Sequence, residues 1–528
     1  MTSTIDQDAK LAQAVARTGQ KYDAVPYTSI PFQRLQPSRL AANAYLLGLD
    51  APDVRRARTL EIGCASGGHL MPLAAAFPEA QFVGVDISAA QIADGSARAG
   101  RLGLNNVSLR AGSLAEIDAH WGQFDYIICH GVYSWVPDAI RDAIMRVSGE
   151  RLSSHGIAAI SFNVLPGWRV FQAVRDSLIL HAGDEKDDAV RTAKAREMFD
   201  LMAQFSPEKS SYGSVWRNEA RRMVEQPDSY IAHEIFEDDN APCTFRSFAA
   251  AAGMHGLAYL GETRVRENVP ESGDEQRAAL VRQLSGGELL ATEQYIDVVT
   301  GRTFRESLLI RADRAADVKR ALDGQRLAGL HLIPPLDLRI TSPEGAAELV
   351  IEDGDGASAS TQNPAVCAAL RVLIDRAPQS TALDQLVAGD HPSGSRDQIA
   401  AVIMHLILQG SLDVSTVPIA CARDGGPRPK AWPLIASDAA AGCERSATLR
   451  HAPFLMTPLL RFLLPLLDGV RSREDIVATL VRLAESGEVS LADEKGPISD
   501  PERLRTACAA RINRELAGLA RIGALVES

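Results

Sequence analysis

Between Arg58 and Asn163 the chain alternates short apolar runs with longer amphipathic stretches. Five runs predict strands, at Arg58–Ile62, Gln81–Val85, Val107–Ala111, Phe124–His130 and Gly156–Asn163. Helix signals lie between them at Gly68–Phe77, Ala89–Leu102 and Asp138–Leu152, with Ser88 placed as an N-cap. Runs that are apolar throughout, rather than at alternate positions, belong to strands covered on both faces. The expected fold class is therefore α/β: a doubly wound, mostly parallel sheet with helices on either side.

The alternation stops at Gly167. From there to Asp239 the pattern is helical and charged, and it reads as an insertion. A helix at Thr244–Ala252 and strands at Gly256–Glu262 and Thr303–Arg311 then complete the sheet. The first domain is expected over residues 1–315, with the helical insertion at about 167–243 lying over its active edge. Residues 1–20 read as a frayed helix or as disordered. A regulatory, winged-helix-like unit is expected over 316–435. Its helices are at Pro364–Arg376, Ala382–Val387 and Arg396–Gln409, with a strand at Ser411–Val414. A second winged-helix-like unit is expected over 436–528, with helices at Pro458–Leu467, Arg473–Ser486 and Pro501–Ile522 and a strand at Ala524–Val526. The most apolar run, Pro453–Leu467, is too short to span a membrane and contains Arg461, so it reads as a buried core helix.

Charge narrows the partners. A net charge of −12 over 528 residues repels phosphates, and 5% aromatic content does not make a base-stacking platform. Nucleic acid is not expected as a partner. Arg503, Arg505, Arg511, Arg514 and Arg521 enrich the last helix, which reads as a solvated or protein-docking face. The seven cysteines include no CxxC pair, so no zinc site is expected. They suit a reducing cytoplasm, and the polar first twenty residues lack the apolar core of a signal peptide.

In an open parallel sheet, ligands bind beyond the carboxyl ends of the strands. The turn after the first strand, Thr59 to Gly68, supplies Gly63, Cys64, Ala65, Ser66 and Gly67 as backbone that can approach a ligand. The spacing is not GxGxxG, which weakens a dinucleotide reading. Acidic Glu61 suits a ligand with an ammonium group, such as the methionine end of S-adenosylmethionine, better than a pyrophosphate. Asp86, followed by Ile87, ends the second strand where a carboxylate can accept from both ribose hydroxyls. Gly112, Ser113 and Leu114 end the third strand at the adenine edge. His130 ends the fourth, facing the methionine moiety.

With these strand ends the chain resembles class I S-adenosylmethionine-dependent methyltransferases. More narrowly, it is similar to bacterial members that carry a methyltransferase regulatory domain. Those include protein-lysine methyltransferases acting on outer-membrane proteins of rickettsiae. The matching stretches include Tyr22–Tyr27, Leu60–Gly68, Phe124–Pro137, Phe162–Trp168, Tyr230–Phe236 and Gly301–Leu309, with a fainter one at Leu466–Arg471. The resemblance implies S-adenosylmethionine as cofactor, held at Glu61, Gly63, Asp86, Ser113 and His130, but does not fix the substrate.

Methyl transfer is an in-line displacement on an already activated carbon, so the protein's main work is positioning and exclusion of water. A lysine nucleophile must lose its proton, which an apolar or aromatic pocket favours. Tyr133, Asn163 and Tyr27 are the candidate catalytic residues, and Tyr22 joins Tyr27 as a lid over the cofactor. Trp135 and Trp168 read as core packing, and His233-Glu234 as a capped helix start or surface pair ahead of a base or a lining of the substrate channel. Three functions stay open: a protein methyltransferase acting on lysine, a small-molecule methyltransferase with the insertion as lid, and a non-catalytic cofactor-binding regulator. Whether the chain forms a homodimer stays open with them.

Overall fold

The apolar runs assemble as their two-sided burial requires. The computed structural model describes residues 19, 23, 27–269, 274–341, 349–352, 358–388, 395–489, 492–493, 496–498 and 500–527. Seven strands form its main sheet: β1 (Arg58–Ile62), β2 (Gln81–Asp86), β3 (Val107–Ala111), β4 (Phe124–Cys129), β5 (Leu152–Asn163), β6 (Leu257–Glu262) and β7 (Phe304–Arg311). Their order is β3-β2-β1-β4-β5-β7-β6. β1 to β5 are parallel, and β7 is antiparallel to both β5 and β6. Strand order reverses between β1 and β4, so the crevice for a ligand opens above their carboxyl ends.

The helices are α1 (Pro37–Leu46), α2 (Leu70–Ala76), α3 (Ala89–Arg101), α4 (Asp138–Arg151), α5 (Trp168–Ala182), α6 (Asp188–Phe205), α7 (Ser211–Val224), α8 (Asp228–Phe236), α9 (Phe245–Met254), α10 (Glu275–Ser285) and α11 (Leu289–Thr300). Ser88 caps α3 as expected, its side chain accepting from the Gln91 N–H. Successive residues of β4 serve opposite faces. Ile127 and Cys129 join Ile144, Met145 and Phe248 beneath α4 and α9, while Tyr126 and Ile128 join Leu40, Ala44 and Leu47 of the α1 side. That two-face burial is why the run carries no polar alternation. Edge strand β3 is the most exposed of the seven, and Val107 and Leu109 are only part-buried.

The stretch after Gly167 is helical, as expected, and α5 to α8 form a layer with its own core around Trp168, Phe171, Phe199 and Trp216. Two C-terminal units follow. In one, His331–Ile333 pairs antiparallel with Thr381–Ala382 and Asp413–Ser415 beside helices Pro364–Asp375 and Ser395–Gln409; its core takes in Ala42 and Leu46 of α1. In the other, Lys430–Ala431 pairs with Leu525–Val526 around helices Pro433–Ala440, Arg473–Glu485 and Pro501–Arg521. The apolar run expected as one helix is divided: Pro453–Leu455 is a strand, Pro458–Leu463 an α-helix and Leu464–Leu466 a 3₁₀ turn. Pro458 and Pro465 lack the N–H that would carry one helix through. Arg98 of α3 grips buried Asp438 bidentately at 2.9 and 2.7 Å, tying this unit to the sheet domain. Among the described residues no helix is long and apolar enough to cross a membrane.

Candidate active site

Strand ends set one side of a cavity of about 630 Å³, and the helical layer sets the other. At the strand side Glu61 sits in register between Gly84 of β2 and Ile128 of β4. It is 4% exposed, lines the cavity, and its Oε2 has no hydrogen-bond partner. Burial, helped by the charge of Asp86, holds its carboxyl well above the usual carboxylate range. A buried acid with an unsatisfied oxygen is completed by a cationic donor. The turn beside it is closely fitted: Gly63 has φ +75°, and a Cβ there would meet Val132 at 2.4 Å. Gly68 donates its N–H to Ser29 Oγ at 2.7 Å, drawing the N-terminal segment over the loop.

Asp86 Oδ2 accepts from the Ala65 N–H at 2.8 Å, and Oδ1 from the Ser88 N–H at 2.9 Å. Each carboxylate oxygen can accept a second bond, so a diol can be received without breaking either. Burial raises its pKa, against the pull of these N–H groups. Ser88 Oγ also donates to Asp23 Oδ1 at 2.6 Å, a second tie of the N-terminal segment to the site. Gly112 N–H donates to the Asp86 carbonyl at 2.9 Å, which brings Gly112, Ser113 and Leu114 to the cavity wall. The His130 ring lies 4.1 Å from that of Phe32 and 3.6 Å, Nδ1 to Oε1, from Glu306. Burial lowers its pKa, with Glu306 opposing.

The predicted residues are thus brought together in most cases. Glu61, Gly63, Cys64, Ala65, Asp86, Ile87, Gly112, Ser113, Leu114, His130, Tyr27 and Asn163 all line the cavity. Ser66 and Gly67 do not: the Ser66 carbonyl lies against Gly95 of α3, and Gly67 lies over Leu109 and Met71. Tyr133 does not either. Its ring packs edge-on against Phe162 and Phe248, 6.3 and 5.5 Å away, beneath the site. Tyr22 lies outside the described residues. Asn163 is 3% exposed, its N–H donates to Ser134 Oγ, and its Nδ2 has no partner.

The helical layer contributes residues that the sequence did not single out, or weighed as packing. Trp135 and Trp168 form the wall with Phe171, their rings 6.1 Å apart. Tyr27 meets α8 here, its ring 5.8 Å from that of His233, and burial holds its phenol up at about 12. Tyr230 and Glu234 line the cavity from one face of α8. Glu234 is therefore neither at a helix start nor part of a surface pair. Burial raises its carboxyl to about 7, while Arg222 and Arg175 pull down and Glu219 pushes up. The Tyr230–Phe236 stretch held the signal: an acid four residues from a tyrosine, among Ile231, Ile235 and Phe236.

The comparisons with known proteins agree with this geometry. A family model described as "Methyltransferase domain" matches residues 60–158, one described as "Predicted methyltransferase regulatory domain" matches 227–311, and one described as "PKMT, C-terminal winged helix domain" matches 427–523. The regulatory-domain model thus falls on α8 through β7. The uncharacterized protein RP789 of Rickettsia prowazekii is 30% identical over 504 residues, covering 92% of this chain and 90% of its own. RP028 of the same organism is 34% identical over 233 residues, 44% of this chain and 93% of its own. The solved structure of PKMT2 from Rickettsia typhi in complex with AdoHcy superposes with a TM-score of 0.84 at 25% identity, over 95% of this chain and 100% of that one.

Proposed function

The chain belongs to the family of S-adenosylmethionine-dependent methyltransferases that join a class I catalytic domain to a methyltransferase regulatory domain and a PKMT-type winged helix, and from that premise we propose that it methylates the ε-amino group of lysine in a protein. S-adenosylmethionine supplies the methyl group as an activated sulfonium. The residues that would hold it are those the geometry fits: Glu61 for the ammonium, Asp86 for the ribose hydroxyls, and the 112–114 turn for the adenine edge.

The observation that carries the lysine reading is the other half of the cavity. Trp135, Trp168, Phe171, Tyr27 and Tyr230 line it together with Asn163, and its acidic groups are Glu234 and Glu219, the latter paired with Arg222. Such a slot takes the four-carbon stem of lysine along ring faces and receives a cation at its end. The Arg222 guanidinium, which also lines it, is engaged by Glu219 at 2.8 Å and Tyr230 Oη at 3.3 Å. PKMT2, the rickettsial protein lysine methyltransferase, supports the same substrate class. All seven cysteines are free thiols, which supports a cytoplasmic setting.

A small-molecule acceptor is the second reading. The volume favours it, because about 630 Å³ lies within the 300–1,000 Å³ common for ligand sites. The same space must also house the cofactor, which leaves room for a side chain more readily than for a second whole ligand. The test is incubation of the full chain with methyl-tritiated S-adenosylmethionine and total-cell protein, followed by acid hydrolysis and amino-acid analysis. Label in methylated lysine is expected; label confined to small molecules transfers the assignment to the second reading.

A further inference from the structure

Two glutamates of the helical layer, Glu219 and Glu234, line the cavity. Glu219, Glu237 and Asp228 each have a basic partner within 4 Å: Arg222, His233 and Arg196. Glu234 is half-buried, lines the cavity, and feels Arg175 of α5 and Arg222 and Glu219 of α7. The nearest guanidinium that acts on it, Arg222, is bonded elsewhere, to Glu219 and Tyr230. Tyr27 and Tyr230 line the same cavity, and the charge of Glu234 acts on both phenols, which groups this carboxylate with two hydroxyls in one acceptor subsite.

On the reading of the acceptor as a lysine amine, we propose that Glu234 takes the proton from the incoming ε-ammonium, with the hydroxyl oxygens of Tyr27 and Tyr230 accepting hydrogen bonds from the same nitrogen. Glu234 is then a catalytic residue of the reaction, and the two tyrosines aim the amine. One ammonium proton passes to the Glu234 carboxylate. The freed nitrogen lone pair attacks the sulfonium methyl carbon; the C–N bond forms as the C–S bond breaks, and the C–S electron pair stays on sulfur as a neutral thioether. The product leaves as a methylammonium, and the proton on Glu234 passes to solvent.

The surroundings suit the task. A carboxylate raised to about 7 is a far better proton acceptor than an ordinary glutamate near 4.3. It is still ionised in half or more of the molecules at neutral pH. Its level is a balance of burial and Glu219, which raise it, against Arg222 and Arg175, which lower it. Burial raises the pKa of both phenols, so they stay neutral; Tyr230 Oη, which accepts from Arg222 at 3.3 Å, keeps a second lone pair for the amine. Desolvation in the aromatic slot and the sulfonium charge both lower the pKa of the ammonium, which closes the gap to the acid.

A pH profile separates this role from a packing role. Initial rates of methyl-lysine formation are measured on heat-denatured total-cell protein at subsaturating concentration, from pH 6 to 9.5. The wild-type rate is expected to rise about tenfold per pH unit below 7 and then level off, because the reactive pair is ionised Glu234 with the ammonium. Glu234→Gln cannot accept the proton and must capture amine already neutral in solution, about 0.1% of lysine at pH 7.4 and about 10% at pH 9.4. Its rate is expected to climb through the whole range. The deficit then shrinks from roughly 10³-fold at pH 7.4 to roughly tenfold at pH 9.4. Glu234→Asp is expected to restore the plateau at a lower height, and AdoHcy affinity by calorimetry is expected to be unchanged in both. A Gln variant with the wild-type profile, or with one uniform deficit at every pH, overturns the assignment. Failure of the wild-type chain to label any lysine overturns the substrate reading itself, a result distinct from lysine labelling that does not respond to residue 234.

Discussion

Removing one charge at the strand side, by Glu61→Gln, gives the sharpest test of the cofactor site. The amide keeps the shape of the side chain in a position that is 4% exposed and closely packed between β2 and β4. What is lost is a charge-assisted hydrogen bond to the ligand's ammonium, worth about 1.5–3 kcal/mol. That corresponds to a rise of roughly 10- to 200-fold in Kd. The structure adds a signature that affinity alone lacks. In the free protein burial, helped by the charge of Asp86, holds the Glu61 carboxyl above the usual carboxylate range. The ammonium binds the ionised form. Below the free-protein pKa, binding therefore expels a proton, and affinity rises by up to tenfold for each pH unit gained. Above that pKa the dependence flattens.

Calorimetry with AdoHcy from pH 6 to 8 in two buffers of different ionisation heat counts the protons released. The wild-type chain is expected to release protons on binding wherever the free chain holds Glu61 protonated, and fewer as pH rises. Glu61→Gln is expected to bind more weakly with that component gone. Equal affinities together with equal proton release in the two proteins would refute the placement of the ammonium at Glu61.

Three further outcomes follow from the same structure. Asp86→Ala should weaken AdoHcy binding roughly 10- to 100-fold and lower stability by about 1 kcal/mol, since Asp86 also receives the Ala65 and Ser88 N–H groups; unchanged calorimetric affinity would remove the ribose assignment. Arg305 is 1% exposed and bonds Glu262, Glu293 and Asp297, with Asp297 at 2.9 Å and Glu293 at 3.0 Å. Arg305→Met leaves these buried acids without their cation and should cost about 3–5 kcal/mol in urea unfolding; a loss under 1 kcal/mol would show the cluster to be self-sufficient. Trp216, fully buried against Phe199 in the helical layer, should cost about 3–5 kcal/mol on replacement by Ala, with faster hydrogen exchange confined to α5–α8. Methyl transfer should fall while AdoHcy binding persists, and equal loss of both would mean that the layer also supports the cofactor side.

The cofactor half was legible because it is made of strand ends. A strand buried on both faces writes a continuous apolar run, and the run ends where the chain turns toward the ligand. Glu61, Gly63 and Asp86 occupy such ends, so finding β1 and β2 located them. The divided run at 453–466 and helices α10 and α11 were not anticipated, since short apolar or charged segments carry no period that fixes their length.

The acceptor half is built differently, and Tyr133 shows why it resisted. Tyr133 and Trp135 follow β4, where a nucleophile is received in this fold, and either could have faced it. They fall in a 3₁₀ turn, Tyr133–Trp135. At three residues per turn, positions two apart point about 120° from each other, so a single wall can receive only one of them. Here Phe162 and Phe248, stacked at 4.0 Å, offer an aromatic floor that takes Tyr133, which leaves Trp135 for the cavity. That floor comes from β5 and α9, more than eighty residues apart in sequence by their numbers. No local pattern around Tyr133 encodes it. Glu234 differs in degree: the acid four residues from Tyr230 is a local signal, but a glutamate in a helix reads as solvated unless one knows that the N-terminal segment brings Tyr27 to the same cavity. Its neighbours Tyr230, Ile231 and Ile235 show which faces of α8 are apolar, but not that the acid's own face is covered by a segment two hundred residues earlier. The walls of this half of the cavity are therefore contacts between distant elements, which is where a single sequence carries least and where exchanging Glu234 tests most.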